Sequence, residues 1–390
     1  MKVDRRTLRE IFDFTERLEA PLFQRPYVWR KEKNWQPLWE AIKNVGDSLI
    51  QRGECKPHFL GAIVLDQLPT PTGTVAARQI IDGQQRLIAL QLALAAVRDI
   101  CRSINQEAFE QQFSKLTVNY VPLSKNADDV FKVWPTNSDR AIFKAIMTAH
   151  SPVQVRKIVS ESTGQDEPLI PDTYLYFSEC VKAWLGPNSA DSFLSRLDVL
   201  RETFEKYIIL VVIDLGNEDD PQEIFETLNA RGTPLLPADL VKNFLFHKAE
   251  KENADLNQLH KSYWEHFDTH KGYWRKEIGQ GRVKRPRLDW FLQYYLTLVT
   301  RAEVLATELF LIFRNYVRRN QISTEKYLQQ FQEYSAIYQS FDAFPVDSPE
   351  GLFFYRLRQL ETTTLFPLLL EIFKTHSSPR KAKRPAGNSS

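Results

Sequence analysis

Only three cysteines, Cys55, Cys101 and Cys180, occur in 390 residues, and they stand far apart. That spacing gives neither a disulfide framework nor a zinc knuckle, and it fits a reducing cytoplasm. No apolar run is long enough to cross a membrane, and no charged start followed by an apolar core marks a secretory signal. The expectation is a cytoplasmic protein with no membrane partner. A dominant charge is missing as well: Lys+Arg 51 against Asp+Glu 49 leaves a formal net charge of +2. No global field therefore draws the chain to nucleic acid, and any DNA contact needs a local patch. There is no Walker-type G-x-x-x-x-G-K-[ST] loop, so a bound phosphate would need a different cradle. No solenoid repeat is evident. What is present is a globular composition, 43% hydrophobic, in a chain long enough for two or three structural units.

The most informative stretch is Ile80-Ile81-Asp82-Gly83-Gln84-Gln85-Arg86, followed by Leu87-Ile88-Ala89-Leu90-Gln91-Leu92. Its apolar lead-in reads as the end of a buried strand, Gly83 allows a sharp turn, and the run after it has helical period. A strand, a tight turn and a helix N-terminus aim free backbone N–H groups and a positive dipole end outward, which suits an anion such as a phosphate. Arg86 adds a fixed cation, and Gln84 and Gln85 add amide donors and acceptors. The alternative is a hydrogen-bonded structural turn with Asp82 capping the helix.

Along the chain, Leu8 to Leu18 reads as a short amphipathic helix. Ala20 to Trp29 reads as an extended arm, because Pro21 and Pro26 break any helix. Trp35, Leu38, Trp39, Ile42, Val45 and Leu49 form a core-facing stripe at helical spacing. His58 to Leu65 and Val75 to Ile81 read as strands, the second ending on the central turn, and the helix after it runs to about Ser103. From about 104 to 203 the pattern is that of an α-helical insertion. The β-branched run Tyr207 to Ile213 predicts a central strand, then come helices at Pro221 to Ala230 and from Pro237. The expected class is α/β (α+β), with a first domain over 1–250, an α-helical domain over 251–376 and a disordered basic tail over 377–390.

Two further clusters carry chemistry. Gln24-Arg25-Pro26-Tyr27-Val28-Trp29 puts an amide, a guanidinium and two large aromatics on a rigid segment. Arg25 can hold a phosphate, while Tyr27 and Trp29 can line a pocket for a base or a bulky group. Burial of Phe23, Tyr27 and Trp29 in a core is the alternative. The other cluster runs from Phe225 to Asn243. Asn229 and Arg231 stand at a helix end, and Asp239, Lys242 and Asn243 share one face of the next helix. A salt-bridged helix pair would explain the same pattern.

These segments resemble the DGQQR-motif family, the N-terminal domain of GmrSD-type modification-dependent restriction enzymes and of SspE-like phosphorothioation-defence proteins. Phe23 to Trp29, Phe59-Leu60-Gly61-Ala62-Ile63, Ile81 to Leu87, and Phe225 to Asn243 occur in the family's order. The resemblance covers about the first two thirds of the chain and implies a fold similar to the ParB and sulfiredoxin nucleotide-binding unit. It implies binding and hydrolysis of GTP or ATP, with Mg2+ as a candidate companion ion, coupled to sensing of modified DNA, phosphorothioated or glucosylated, in antiphage restriction. Asp82, Gln84, Gln85 and Arg86 would then be catalytic. Gly83, Gln24, Arg25, Asn229, Arg231, Asp239, Lys242 and Asn243 would bind the nucleotide, and Tyr27 and Trp29 would meet the modification.

One family part is missing: the His-Asn-His nuclease motif that follows in two-part members does not occur in this sequence. The implied partners are therefore modified DNA and a nuclease domain or subunit of the His-Asn-His type, with homo-oligomerisation left open. His260, His266 and His270 lack an acidic or asparagine pattern for a metal, and none is assigned. Arg275, Lys276, Arg282, Lys284, Arg285 and Arg287, opposed only by Glu277, read as a flexible basic loop between Trp274 and Trp290. Arg282, Lys284, Arg285 and Arg287 are candidate DNA phosphate contacts, with a solvated surface loop as the alternative. Two other readings stay open: a non-enzymatic DNA-binding or scaffold subunit, and a DNA-nicking nuclease.

Overall fold

The computed structural model describes residues 1–21, 24–70, 72–161, 169–216, 219, 236–268, 272–280, 283–360 and 362–377. The chain forms two compact units, Met1–Pro234 and Leu235–Ser390. The first is built on a mixed six-stranded sheet in the order β1-β6-β3-β4-β2-β5. Its strands are β1 (Lys2–Thr7), β2 (Glu16–Glu19), β3 (His58–Gln67), β4 (Ala76–Asp82), β5 (Val133–Trp134) and β6 (Ile208–Asp214). The β-branched run of β6 takes an interior place as expected, antiparallel to β1 and parallel to β3. Next, β3 pairs antiparallel with β4, and β4 pairs parallel with β2.

Leu18, Ile63, Leu65, Ile80, Leu210 and Val212 belong to one apolar core with the helix Gln84–Ser103. That helix is buried nearly all round, with Leu87 to Cys101 all enclosed, the state of an element surrounded by others. The helices Glu107–Thr117 and Leu169–Leu185 pack on it. A buried pair of side chains locks this packing: Arg98 donates to Asp99 at 2.8 Å and to the Met147 carbonyl at 3.0 Å, and the Tyr174 hydroxyl donates to Asp99 at 2.7 Å.

Several elements differ from the sequence reading. The helix expected over Leu8 to Leu18 is Leu8–Phe12 only, started by a Thr7/Glu10 capping box, and Glu16–Glu19 is a strand. The alternation that puts Leu18 into the core also reads as one turn of an amphipathic helix, so tertiary pairing with β4 and β5 decides it. The insertion is mostly helical but contributes β5 to the sheet edge. The helix expected at Pro221 to Ala230 and the tail from 378 lie outside the described residues.

The second unit is helical and aromatic. The helices Pro237–Lys251, Arg287–Thr300, Leu309–Asn320 and Thr324–Ser340 surround Trp264, Phe267, Phe291, Tyr295 and Phe331, whose rings meet mostly edge to face or tilted, with Phe267 and Phe291 stacked. The helix from Pro237, given to the first domain by the sequence reading, packs here. Among the described residues no helix is long and apolar enough to cross a membrane.

Candidate functional site

Strand β4 ends on Asp82, and the chain turns at Gly83, whose φ of 97° lies in the left-handed region. A Cβ at Gly83 would stand 2.5 Å from Ile63 Cγ2, so both backbone and space demand glycine. The helix starts at Gln84 with no side chain capping it, and its first ladder bond runs from Leu87 N to Gly83 O at 3.0 Å. The N–H groups of Gln84, Gln85 and Arg86 therefore precede the helical ladder. Asp82 does not cap the helix, and the neighbouring Gly83 N–H favours its carboxylate form.

Arg86 returns across the turn to β3. Its Nη1 donates to the Ala62 carbonyl at 2.7 Å, and its guanidinium lies where a Cβ on Gly61 would be 3.0 Å from Nη2. Gly61 has φ of 104° and sits at a register shift between Phe59 and Ala62. That bulge makes room for the guanidinium. Burial raises the Asp82 carboxyl above its ordinary range, against the Gly83 N–H, Arg86 and Arg25, which all favour the anion. Burial likewise lowers Arg86, against the attraction of Asp82. Arg86 and Arg25 thus both act on the Asp82 carboxylate beside the helix N-terminus.

The glutamines do something else. Gln24 Nε2 donates to the Ile80 and Ile81 carbonyls at 2.9 and 3.0 Å. Gln84 Nε2 donates to the Arg25 carbonyl at 2.9 Å. Gln85 takes the Val28 N–H at 2.8 Å and gives to the Pro26 carbonyl at 3.0 Å. Gln24 to Trp29 belong to no strand, so their backbone polar groups need side-chain partners, and these amides supply several of them. Both ends of the Gln85 amide are spent on the arm. The Gln84 Oε1 is buried without a hydrogen-bond partner.

Within the arm, Tyr27 is a core residue whose hydroxyl accepts from Trp35 Nε1 at 3.0 Å and lies 3.3 Å from Thr173 Oγ1, which gives its own hydrogen to the Leu169 carbonyl at 2.6 Å. Trp29 is half-buried against the same core. Phe23 lies outside the described residues. Sequence reasoning missed Asp139, which takes the Tyr27 N–H at 2.6 Å and the Thr136 hydroxyl at 3.2 Å. Burial pushes its carboxyl up to about 6. The signal for it was the Thr136-x-x-Asp139 spacing at a helix start.

A family model described as the GmrSD restriction endonuclease, N-terminal domain, matches residues 8–246. The chain belongs to this family. No curated protein matches it. The GmrSD N-terminal family implies a role in a restriction system and, with it, DNA binding.

The family match reaches into the second unit, where the third motif ends. Asn229 and Arg231 lie outside the described residues. Asp239 and Lys242 are buried and already engaged: Asp239 accepts from Arg275 Nη1 at 2.7 Å, and Lys242 forms an ion pair with Asp268. Asn243 is half-buried. The salt-bridged alternative therefore describes Asp239 and Lys242 within their own unit. His260 also bonds Asp268, at 3.0 Å, and His266 lies on the Phe267 ring, while His270 is outside the described residues. Among the described residues no group of three or more His, Cys, Asp and Glu side chains is placed to hold a metal ion.

The basic stretch is a hairpin, not a loop: β7 (Glu277–Gln280) pairs antiparallel with β8 (Val283–Pro286). Lys276 and Lys284 are exposed. Arg285 lies on the Trp290 ring at 3.6 Å and Arg287 on the Tyr273 ring at 3.9 Å, each partly buried. Arg282 is outside the described residues.

Proposed function

We propose that the chain is a nucleotide-hydrolysing sensor of modified DNA in a restriction system, using GTP or ATP with Mg2+. The observation that carries this reading is the uncapped N-terminus of the Gln84–Ser103 helix with Arg86 and Arg25 beside it, a cradle for anionic phosphate oxygens. The backbone N–H groups of Gln84, Gln85 and Arg86 receive phosphate oxygens, and Arg86 and Arg25 balance their charge. Asp82, whose carboxyl burial has raised, would ligate Mg2+ or take a proton from water. The bound nucleotide supplies a phosphoanhydride whose cleavage needs positioning and charge stabilisation more than covalent chemistry from the protein. Gln24, Gln84 and Gln85 shape the site by holding the arm, and Trp29 is the arm's candidate contact with modified DNA. Lys284, Arg285 and Arg287, with Arg282, supply phosphate-backbone contacts, and a His-Asn-His nuclease domain or subunit cuts.

The second reading is a scaffold subunit that keeps the turn for structure alone, and the spent amide of Gln85 favours it. Phosphate release from each NTP, with and without modified DNA, separates the two. Turnover that rises with modified DNA and disappears in Arg86→Ala supports the sensor. A folded chain with no turnover for any NTP leaves the scaffold.

A further inference from the structure

The foot of the basic hairpin is fastened to the place where the chain enters the second unit. Trp274 and Lys276 on one side meet Leu288 and Arg287 on the other, through Leu288 N to Trp274 O and Arg287 N to Lys276 O, both 3.0 Å. On the incoming side, Arg275 donates to Asp239 at 2.7 Å, to Asp268 at 2.9 Å and to the Phe267 carbonyl at 3.0 Å. On the outgoing side, Asp289 accepts the Ala238 N–H at 3.0 Å. Ala238 and Asp239 are in the first turn of the Pro237–Lys251 helix, and that unit begins at Leu235. Asp239 and Asp289 are both buried, so neither contact is diluted by water.

We propose that Asp239 and Asp289 are positioning residues for the DNA grip: by clamping both sides of the hairpin's foot to one helix turn, they let the chain entering the second unit set how Lys276 and Lys284 are presented. Two clamps on one turn fix a direction as well as a distance, which a single ion pair does not. Asp239 thereby has a role in the third motif that touches neither nucleotide nor DNA. The inference rests on the reading of the hairpin as a DNA contact.

The test uses the full chain and an unmodified DNA duplex, comparing wild type, Lys276→Ala/Lys284→Ala, Asp239→Asn and Asp289→Ala. Binding is measured across salt concentrations, and hydrogen exchange is followed at the hairpin amides. If both lysines contact phosphates, their removal flattens the slope of log affinity against log salt by about 0.9 per contact. Each aspartate variant is expected to lose affinity tenfold or more, to flatten the slope similarly and to speed exchange at hairpin amides, while the Thr324–Ser340 helix stays protected. Asp239→Glu, which keeps the charge, restores part of the affinity. An unchanged slope in the lysine variant overturns the grip through Lys276 and Lys284, and the positioning proposal with it. A flattened slope there, with wild-type affinity and hairpin exchange in a folded Asp289→Ala chain, overturns the positioning alone. Should Asp239→Asn fail to fold, Asp289→Ala carries the same comparison.

Discussion

The Arg86 guanidinium occupies the space that a side chain on Gly61 would need, with the missing Cβ only 3.0 Å from Nη2. This contact sets Arg86 beside the helix N-terminus rather than out in solvent, because Nη1 is anchored on the Ala62 carbonyl. Gly61→Ala is expected to displace the guanidinium and strain a backbone at φ of 104°. Nucleotide hydrolysis should fall as far as in Arg86→Ala. Loss of the Arg86 hydrogen bond costs about 1–2 kcal/mol, so Arg86→Ala stays folded. Thermal melts beside phosphate-release assays check this, and normal turnover by a folded Arg86→Ala chain would sink the assignment.

Gln85 and Gln84 differ in how much of the arm they hold. Gln85→Leu strands the Val28 N–H and the Pro26 carbonyl together, whereas Gln84→Leu strands only the Arg25 carbonyl. Gln85→Leu should cost about 2–3 kcal/mol and Gln84→Leu about 1 kcal/mol, since an unsatisfied partner costs more than a lost bond. Urea unfolding gives the order directly. Equal costs, or the reverse order, would show that the arm is held elsewhere.

Asp139 makes this packing sensitive to pH. Its folded carboxyl is pushed up to about 6 by burial, above the ordinary unfolded value of about 3.9. The folded state therefore holds the proton more tightly. The contribution to stability is fully present below about pH 4 and is lost as pH rises through about 6, a change on the order of 3 kcal/mol. Asp139→Asn has no such slope. Unfolding free energies at pH 4.5 and 7.5 should show the variant gaining on wild type as pH rises. A constant difference between the two would mean that Asp139 does not titrate in this range.

Legibility followed local pattern. The turn at Gly83, the stripe from Trp35 to Leu49 and the strand Ile208–Asp214 were readable because each residue's neighbours in sequence determine its burial. What stayed hidden depends on distant partners. Strand β2 owes its state to β4 and β5, and the two-residue β5 has no period to detect. The glutamines of the turn, read as ligands, face an arm some sixty positions earlier in the chain, and no local rule distinguishes an amide aimed at backbone from one aimed at phosphate. Arg285 and Arg287 were legible as cations but not as cations lying on aromatic rings.

Tyr27 and Trp29 separate what the arm does for the fold from what it does for recognition. The Tyr27 hydroxyl accepts from the buried Trp35 Nε1, so Tyr27→Phe leaves that donor wanting an acceptor, while the Thr173 hydroxyl keeps its own acceptor in the Leu169 carbonyl. That variant should lose about 1–3 kcal/mol of stability while its folded fraction still discriminates modified from unmodified DNA. Trp29 is only half-buried, and its backbone neighbour Val28 stays clasped by Gln85 whatever side chain stands at position 29. Trp29→Ala should therefore fold and hydrolyse nucleotide at the basal rate, yet lose the stimulation that modified DNA gives over unmodified DNA. Competition binding with the two duplexes, run beside melts of each variant, measures both effects. Intact discrimination in Trp29→Ala, together with its loss in a folded Tyr27→Phe chain, would reverse the two roles.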